Sequence, residues 1–296
     1  MCEHLHLNAR AKLRARQDPT RTTMIRKRLL GHVYRRFRAI KGAVNRYAAS
    51  RWQEGVKRDD IEFFMDFLRN QIEAQVFDRG PIRVNVTERD IPVWLGSGIN
   101  EAYNRGLHRA VRELQQAGLP DQQEAEALAK KQAVEARRVA IQTRSFEDLR
   151  NVTTAMATSI RRELTDGIDA GDSPLVIARS INKRVDAIGI VRARTIARTE
   201  VIRAHHKATM AAYEEAEVSD IVIQAEFTTT GDEKVCPACA QLEGRVMELA
   251  QAEGLIPVHP NCRCVARPWL PKEATAEDNR QRREESAARM RRIRGA

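Results

Sequence analysis

Five residues able to ligate a metal ion are concentrated between positions 236 and 264. Cys236 and Cys239 form a Cys-x2-Cys pair, and after 19 further residues comes the segment His259-Pro-Asn-Cys262-Arg-Cys264. Two cysteines at this spacing can present both thiolates to one tetrahedral ion, and a second pair of ligands completes the site. The spacing therefore predicts a structural Zn²⁺ site that includes Cys236 and Cys239.

Three side chains compete for the two remaining positions of this site. The second pair is His259 with Cys262, His259 with Cys264, or Cys262 with Cys264, and we favour His259 with one of the two cysteines. A site closed by protein ligands keeps no position for a catalytic water, which is typical of structural zinc. Free buried thiols, a disulfide and a catalytic zinc site are the alternatives.

The rest of the sequence favours metal ligation over disulfides. Residues 1–16 contain no apolar run followed by a cleavage site, and no segment approaches the ~18 consecutive apolar residues of a transmembrane helix. We therefore expect a reducing compartment, where cysteines ligate metals or stay free. A module of about 50 residues with short strands has only a small core. Metal binding can contribute on the order of 10 kcal/mol to the folding of such a module.

The elements around the cluster must bring its two halves together. Ile221, Ile223, Ala225 and Phe227 alternate along the chain, which predicts a strand. A long helix over residues 191–216 precedes this strand, a loop is expected between Cys239 and His259, and residues 263–268 return as a second strand. The sequence thus predicts a small α+β module closed by zinc.

Helical periodicity dominates the chain before residue 216. Apolar residues recur at steps of three and four over residues 61–76 and along a first stripe of Leu30, Val33, Phe37, Ile40, Val44 and Tyr47. Further helices are expected over 91–117, 146–166 and 173–186, the last with Ser173 or Asp172 as N-cap, and residues 121–144 favour a helix. Residues 82–86 suit a short strand or an extended linker. The expected fold class is mainly α, with long helices followed by a short sheet.

These elements divide the chain into five consecutive segments. Residues 1–19 are expected to form a polar basic tail, and residues 20–137 a basic helical N-terminal region. Residues 138–218 and 219–271 are the helical and the zinc-binding parts of one module. Residues 272–296 form a charged tail, expected as a frayed helix or a disordered segment.

The positive charge of the protein is unevenly distributed. Residues 1–60 carry 16 Lys and Arg against 5 Asp and Glu, whereas the other 236 residues carry 35 of each, so the first segment accounts for the whole net charge of +11. A basic segment of this kind can neutralise the phosphates of DNA without reading its sequence. A solvated helix face is the alternative. The candidate DNA contacts are Arg26, Lys27, Arg28, Arg35, Arg36 and Arg38.

The order of several short motifs resembles a known family. Ile-Ala-Arg-Thr-Glu at 196–200 and a Tyr-containing helix end at Tyr213 precede the strand. Thr-Thr-Gly-Asp-Glu-Lys-Val-Cys-Pro-Ala-Cys at 229–239, Leu-Glu-Gly at 242–244 and His-Pro-Asn-Cys-Arg-Cys at 259–264 follow it. This order resembles the Mu protein F-like phage head morphogenesis (minor head) proteins over about residues 140–270. The chain departs from the family at Ile202 and His205-His206, where an Asn and a Tyr-Asn are frequent.

The resemblance implies a virion protein of the capsid interior that is present in the host cytoplasm during assembly. Family members associate with the portal vertex and support head assembly or DNA packaging. The implied partners are the portal protein and, as further candidates, scaffold or major capsid protein and non-specific DNA, with no membrane partner. The implied role is structural and not enzymatic.

Two polar groups on the helix at 191–216 need a separate interpretation. Arg198 and Glu200 lie two residues apart, so they point to different helix faces and do not pair with each other. They suit a polar anchor that ties the helix to the zinc module, or a surface charge pattern. For His205 and His206, a solvated or capping role is expected, with metal ligation or a pH switch as the alternatives.

Two other functional classes compete with a structural head protein. The first is a zinc-fold nuclease, which needs acidic or His residues around a phosphate, such as Asp232, Glu233 and His259. The second is a regulatory DNA-binding protein. No helix offers Asn, Gln or Arg side chains arranged for base edges, which argues against base-specific recognition.

Overall fold

The computed structural model describes residues 18–78, 91–116, 132–216 and 222–269, without the side chains of residues 132–135. The predicted strand or linker at 82–86, the first part of the polar stretch at 121–144, and most of the two terminal segments lie outside these ranges.

Helices account for most of the described residues. They are α1 Thr23–Arg51, α2 Asp60–Val76, α3 Val93–Gln116, α4 Gln132–Asp169, α5 Pro174–Arg184, α6 Val191–Ala216, α7 Pro237–Ala240 and α8 Leu249–Glu253. The strands β1 Gln224–Thr228, β2 Val246–Glu248 and β3 Val265–Trp269 form one sheet. The prediction of a mainly helical chain with a small C-terminal sheet is confirmed. None of the helices in the described ranges has the length and apolar character that crossing a membrane requires.

The chain divides into two compact units, each built from separate stretches of sequence. Among the described residues, the helical unit comprises 25–78, 91–99 and 140–200, and the sheet unit comprises 18–24, 100–116, 132–139, 201–216 and 222–269. Because α3, α4 and α6 each contribute residues to both units, this division is not a division into consecutive segments. The five segments drawn from the sequence remain a prediction.

In the helical unit, α1 buries one continuous apolar stripe. Its buried residues are Ile25, Leu29, Val33, Phe37, Ile40, Ala43, Val44 and Ala48. The buried leucine is Leu29, which is only 1% exposed, and not Leu30 as predicted. Leu29 lies four residues from both Ile25 and Val33, and residues at this spacing share one helix face. The ring of Tyr47 lies 5.3 Å from that of Phe64 on α2, so the two helices share an aromatic cluster.

The later helices of this unit are more continuous than the sequence suggested. The break predicted between residues 144 and 146 is absent, since α4 runs through both. Ser173 is the N-cap of α5, as predicted, and its Oγ accepts a hydrogen bond from the Val176 amide at 3.4 Å. A π-helical turn, Val185–Ile190, joins α5 to α6. Gly189 in this turn contacts Phe37 so closely that a Cβ would lie 2.4 Å from its ring.

In the sheet unit, β1 is the central strand of an antiparallel sheet with the order β2-β1-β3. Gln224 pairs with Glu248 on one side and with Trp269 on the other. The predicted alternation is confirmed for Ala225 and Phe227, which are 1% and 2% exposed, whereas Ile221 lies outside the described residues. The segment predicted as a loop contains β2 and α8, which span three and five residues and are too short to show a periodic pattern.

Gly106 permits the close approach of α3 to α6 within the sheet unit. A Cβ at this position would lie 2.1 Å from the backbone oxygen of His205, which cannot move away as a flexible side chain would. We expect Gly106→Ala to lower the free energy of unfolding by roughly 1–3 kcal/mol, the usual effect of overpacking, as measured by denaturant unfolding.

The matched control for this variant is Gly31→Ala on α1. A Cβ there would meet only the end of the Arg35 side chain at 3.6 Å, so the helical preference of Ala should dominate and stabilise the protein by about 0.5–1 kcal/mol. Equal effects of the two substitutions would contradict the packing described for Gly106.

Candidate metal centre

The first two candidate ligands are positioned by the one-turn helix α7. Cys236 is its N-cap, and the Sγ of Cys236 accepts a hydrogen bond from the Cys239 amide at 3.4 Å. Pro237 occupies the first helical position, where its fixed φ favours the helix and its missing N–H is not needed. The Cys-x2-Cys motif therefore folds so that both thiols lie at the same end of a short helix.

The other three candidate ligands lie in the connection that enters β3. The backbone oxygen of His259 accepts from the Cys262 amide at 3.1 Å, which closes a tight turn. Asn261 in this turn has a φ of 64°, a left-handed conformation that Asn tolerates better than most residues. Cys264 is the residue directly before β3, so the strand fixes the end of this ligand loop.

The imidazole of His259 faces the first pair of thiols. Its Nε2 lies 3.2 Å from the Sγ of Cys236 and 3.2 Å from the Sγ of Cys239. Its Nδ1 lies 2.8 Å from the carbonyl oxygen of Pro260, to which it can donate a hydrogen bond. This hydrogen bond favours the tautomer with a free lone pair on Nε2, the usual arrangement of a metal-ligating histidine.

Cys239 belongs to two groups of potential ligands. Its Sγ lies within 4.8 Å of the ligand atoms of Cys236 and His259, and also within 4.8 Å of those of Cys262 and Cys264. All five predicted ligands are therefore close together and could hold a metal ion. The set fits a borderline-soft ion, because it offers sulfur and imidazole nitrogen and because Cys239, Cys262 and Cys264 are at most 4% exposed.

The thiols of this cluster differ in pKa, because a thiolate at one position disfavours a second thiolate nearby. Hydrogen bonds from Cys264 lower the pKa of Cys262 to about 5. Burial, together with the neighbouring Cys262 thiolate, raises the pKa of Cys239 to about 12. A bound divalent cation would stabilise several thiolates at once, so metal binding and deprotonation are coupled here.

An ion pair connects the two ligand loops on the outside of the cluster. Arg263, between Cys262 and Cys264, donates from Nη2 to Asp232 Oδ1 at 2.7 Å and pairs with the second carboxylate oxygen. Asp232 also accepts from the Thr230 hydroxyl and from the Lys234 amide, both at 3.1 Å. Arg263 lowers the pKa of Asp232 to about 2. The Thr-Thr-Gly-Asp motif is thereby fixed to the second ligand loop.

The Leu-Glu-Gly motif supports the edge of the sheet next to the cluster. The carboxylate of Glu243 accepts from the Thr229 amide at 2.6 Å. Gly244 has a φ of 72°, and its amide donates to the carbonyl of Phe227 at 2.9 Å. These bonds continue the pairing of β1 and β2 beyond the strands and hold the start of the first ligand loop.

Contacts from α6 to α8 were missed by the sequence analysis. His206 donates from Nε2 to the carbonyl oxygen of Ala252 at 2.9 Å, and Lys207 pairs with Glu253 at 2.8 Å. The expected solvated or capping role of His205 and His206 is wrong, because both are buried, at 1% and 2% exposure. Residues adjacent on a helix usually point apart, but here α6 is covered on more than one side.

A second buried polar group connects α3, α6 and β3. The Nη2 of Arg109 lies 2.8 Å from Glu113 and 3.3 Å from the carbonyl oxygen of Ala266, and Tyr213 donates to Glu113 at 2.8 Å. The spacing of Arg109 and Glu113, four residues apart on a helix, was the only signal in the sequence for this group.

The two residues predicted as a polar anchor lie in the helical unit. Glu200 is 2% exposed and lies 3.3 Å from the hydroxyl of Ser145 on α4. Arg198 is half-buried, and burial and the charges of Arg194 and Arg26 lower its pKa. A tie from either residue to the cysteine module stays a prediction.

The six candidate DNA contacts lie on α1 and differ in exposure. Lys27, Arg28, Arg35 and Arg38 are exposed, whereas Arg26 and Arg36 are half-buried. Arg36 pairs with Asp78, donates to the carbonyl of Gln75 at 2.7 Å and lies 5.1 Å from the ring of Trp94. Its guanidinium therefore holds α1 against neighbouring segments of the helical unit.

Comparison with known proteins places this arrangement in a family. Residues 158–267 match the family described as Phage Mu protein F like protein. This segment belongs to the phage Mu F-like family. Residues 158–267, here called the F-like segment, begin within α4, end within β3 and contain all five candidate ligands. The segment is shorter than the range of about 140–270 expected from the motifs. No curated protein and no solved structure matches the chain.

Membership of the F-like segment has three consequences. It suggests that the protein is a phage head morphogenesis protein. It suggests a structural rather than an enzymatic role, and it implies localisation in the virion, where head proteins reside.

The buried histidines predict a loss of stability on acidification. Burial lowers the pKa of His206 from 6.5 to about 4, with Lys207 acting in the same direction and Glu253 and the Ala252 carbonyl opposing it. Burial and Arg109 also lower the pKa of His205, with smaller contributions from His206 and Arg105. The unfolded state thus binds protons first, so this stability is complete above about pH 6.5 and decreases toward pH 4.

We expect His206 alone to remove roughly 2 kcal/mol of stability between pH 7 and pH 5. The His206→Gln variant keeps a donor for the Ala252 carbonyl but does not titrate, so its unfolding free energy should fall less steeply over this range. Parallel pH profiles for the wild type and the variant would contradict this assignment.

Proposed function

We propose that this protein is a minor head protein with a structural and assembly role at the portal vertex inside the phage procapsid. The match of residues 158–267 to the F-like family carries the proposal. The geometry supports it, because the motifs that characterise the segment make contacts that hold loops together: Asp232 with Arg263, Glu243 with Thr229, and His259 with two cysteines.

The cluster suits a structural Zn²⁺ ion held by Cys236, Cys239, His259 and either Cys262 or Cys264. The orientation of His259 by the Pro260 carbonyl supports its place in this set. The ion would act as a crosslink between the two ligand loops. His259, on which the nuclease alternative depends, faces two thiols and is therefore poorly placed to act on a phosphate.

The zinc proposal predicts about one zinc ion per chain in elemental analysis of the purified protein. Removal of the metal by a chelator should lower the unfolding temperature and increase exchange of the β1 and β3 amides. Cys239→Ser should reproduce this loss, because Cys239 lies in both ligand groups. Cys2→Ser, which alters the one cysteine outside residues 236–264, is the matched control and should leave zinc content unchanged. A metal-free protein with unchanged melting would overturn the zinc proposal.

The partners proposed for this role are the portal protein and, as further candidates, scaffold or major capsid protein. Non-specific contact with packaged DNA would use the exposed basic residues of α1, among them Lys27, Arg28 and Arg35. Host cytoplasm during assembly and the capsid interior afterwards are the proposed locations, and no membrane partner is proposed.

A phage that lacks this gene product should yield few infectious particles, and complementation should restore them. Mass spectrometry of purified procapsids and virions should detect the protein in few copies per particle, and purified portal protein of the same phage should retain it. Wild-type particle yield and infectivity without the protein, together with its absence from particles of the parent phage, would refute the proposed function.

A further inference from the structure

Tyr34 of α1 lies close to arginines from two helices of the helical unit. The guanidinium of Arg38, one turn further along α1, lies 5.9 Å from the ring of Tyr34. The Nη1 of Arg194, near the start of α6, lies 3.4 Å from the Tyr34 hydroxyl. Arg198 follows Arg194 by four residues and therefore lies on the same face of α6.

These arginines lack the acidic partners that other arginines of the same unit have. Arg36 pairs with Asp78, Arg161 with Glu62 and Arg184 with Glu163. Among the residues that the structure describes, no carboxylate lies within ion-pair distance of Arg38, Arg194 or Arg198.

The charges of this cluster repel one another in a partly desolvated setting. Arg194 and Arg198 are both half-buried. The pKa of Arg198 is lowered first by burial and then by the charges of Arg194 and Arg26, with Tyr34 opposing the shift. Like charges held together without a counter-ion destabilise a fold, and such arrangements are found where a ligand of opposite charge binds.

We propose that Tyr34, Arg38, Arg194 and Arg198, here called the arginine patch, bind the phosphate backbone of nucleic acid. Guanidinium groups match phosphate oxygens with paired hydrogen bonds, and the Tyr34 hydroxyl adds a donor. Phosphate contacts of this kind position a nucleic acid without reading its bases.

Nucleic acid is favoured over an acidic protein because the patch continues the basic surface of α1, where Lys27, Arg28 and Arg35 are exposed. A long polyanion can contact both sets of charges at once. The choice of DNA as the nucleic acid rests on the proposed role in the phage head, since DNA is the polyanion enclosed there. The arginine patch differs from the α1 surface alone, because it requires Arg194 and Arg198 of the F-like segment.

Binding of a labelled DNA duplex by the full-length protein, measured by fluorescence anisotropy at several salt concentrations, tests this proposal. The test variant is Arg194→Gln with Arg198→Gln. The control is Arg162→Gln with Arg179→Gln, which removes two charges from exposed positions of the same unit. Thermal unfolding of each variant is measured in parallel.

We expect the test variant to bind the duplex roughly ten-fold more weakly near 0.1 M salt, with a log–log salt slope shallower by about two, as for two lost phosphate contacts. Its unfolding temperature should equal or exceed that of the wild type, because a repulsion is removed. The control should bind within about three-fold of the wild type.

Two results would overturn the arginine patch. The first is equal DNA affinity of the test and control variants, which would leave an acidic protein as the partner that fits the patch. The second is a weaker affinity that accompanies a lower unfolding temperature, which indicates a structural anchor. The DNA-binding assay uses only purified protein and DNA. A negative result would therefore overturn the arginine patch without refuting the proposed head role, which is tested by detecting the protein in phage heads.

Discussion

The C-terminal part of the molecule depends on the close approach of the Cys239 thiol to both groups of candidate ligands, within 4.8 Å of each. A sheet with strands of five, three and five residues has only a small apolar core of its own. The thiol of Cys239 comes from α7, which follows β1, and those of Cys262 and Cys264 come from the connection that precedes β3. A metal ion at this point would connect the segment that leaves β1 to the segment that enters β3, at the end of the strand pair where Thr228 pairs with Val265. The ion pair of Asp232 with Arg263 reinforces the same connection from outside.

The basic residues of the chain fall into groups with different surroundings. Arg36 and Arg109 make specific intramolecular contacts, with Asp78 and with Glu113, and so contribute to the fold. Lys27, Arg28 and Arg35 are exposed on α1, and Arg194 and Arg198 adjoin Tyr34. Net charge alone does not distinguish these groups. Their surroundings do, because Arg36 and Arg109 are engaged inside the fold, whereas no carboxylate of the described residues lies within ion-pair distance of Arg194 or Arg198.

The sequence predicted those parts of the structure that have a periodic or short-range signal. The stripes of α1 and α2, the cap at Ser173, the alternation of β1 and the clustering of the five candidate ligands were all predicted from spacing along the chain. The burial of His205 and His206 could not be predicted, because it depends on which faces of α6 are covered in the tertiary structure. The polar group of Arg109, Glu113 and Tyr213 joins two helices, and its hydrogen bond from Tyr213 to Glu113 spans 100 positions of the sequence. Such pairings leave no local pattern, and β2 is too short to leave one.

The zinc site proposed for the cysteine and histidine cluster would be closed and sulfur-rich, and it would hold together the two ligand loops of the F-like segment. X-ray absorption spectroscopy at the zinc edge of the purified protein tests this claim most directly, since it reports the type and distance of the atoms around the ion. The account predicts four ligands, with sulfur at about 2.3 Å and one nitrogen at about 2.0 Å. A shell of oxygen and nitrogen without sulfur, or the absence of bound zinc, would contradict it.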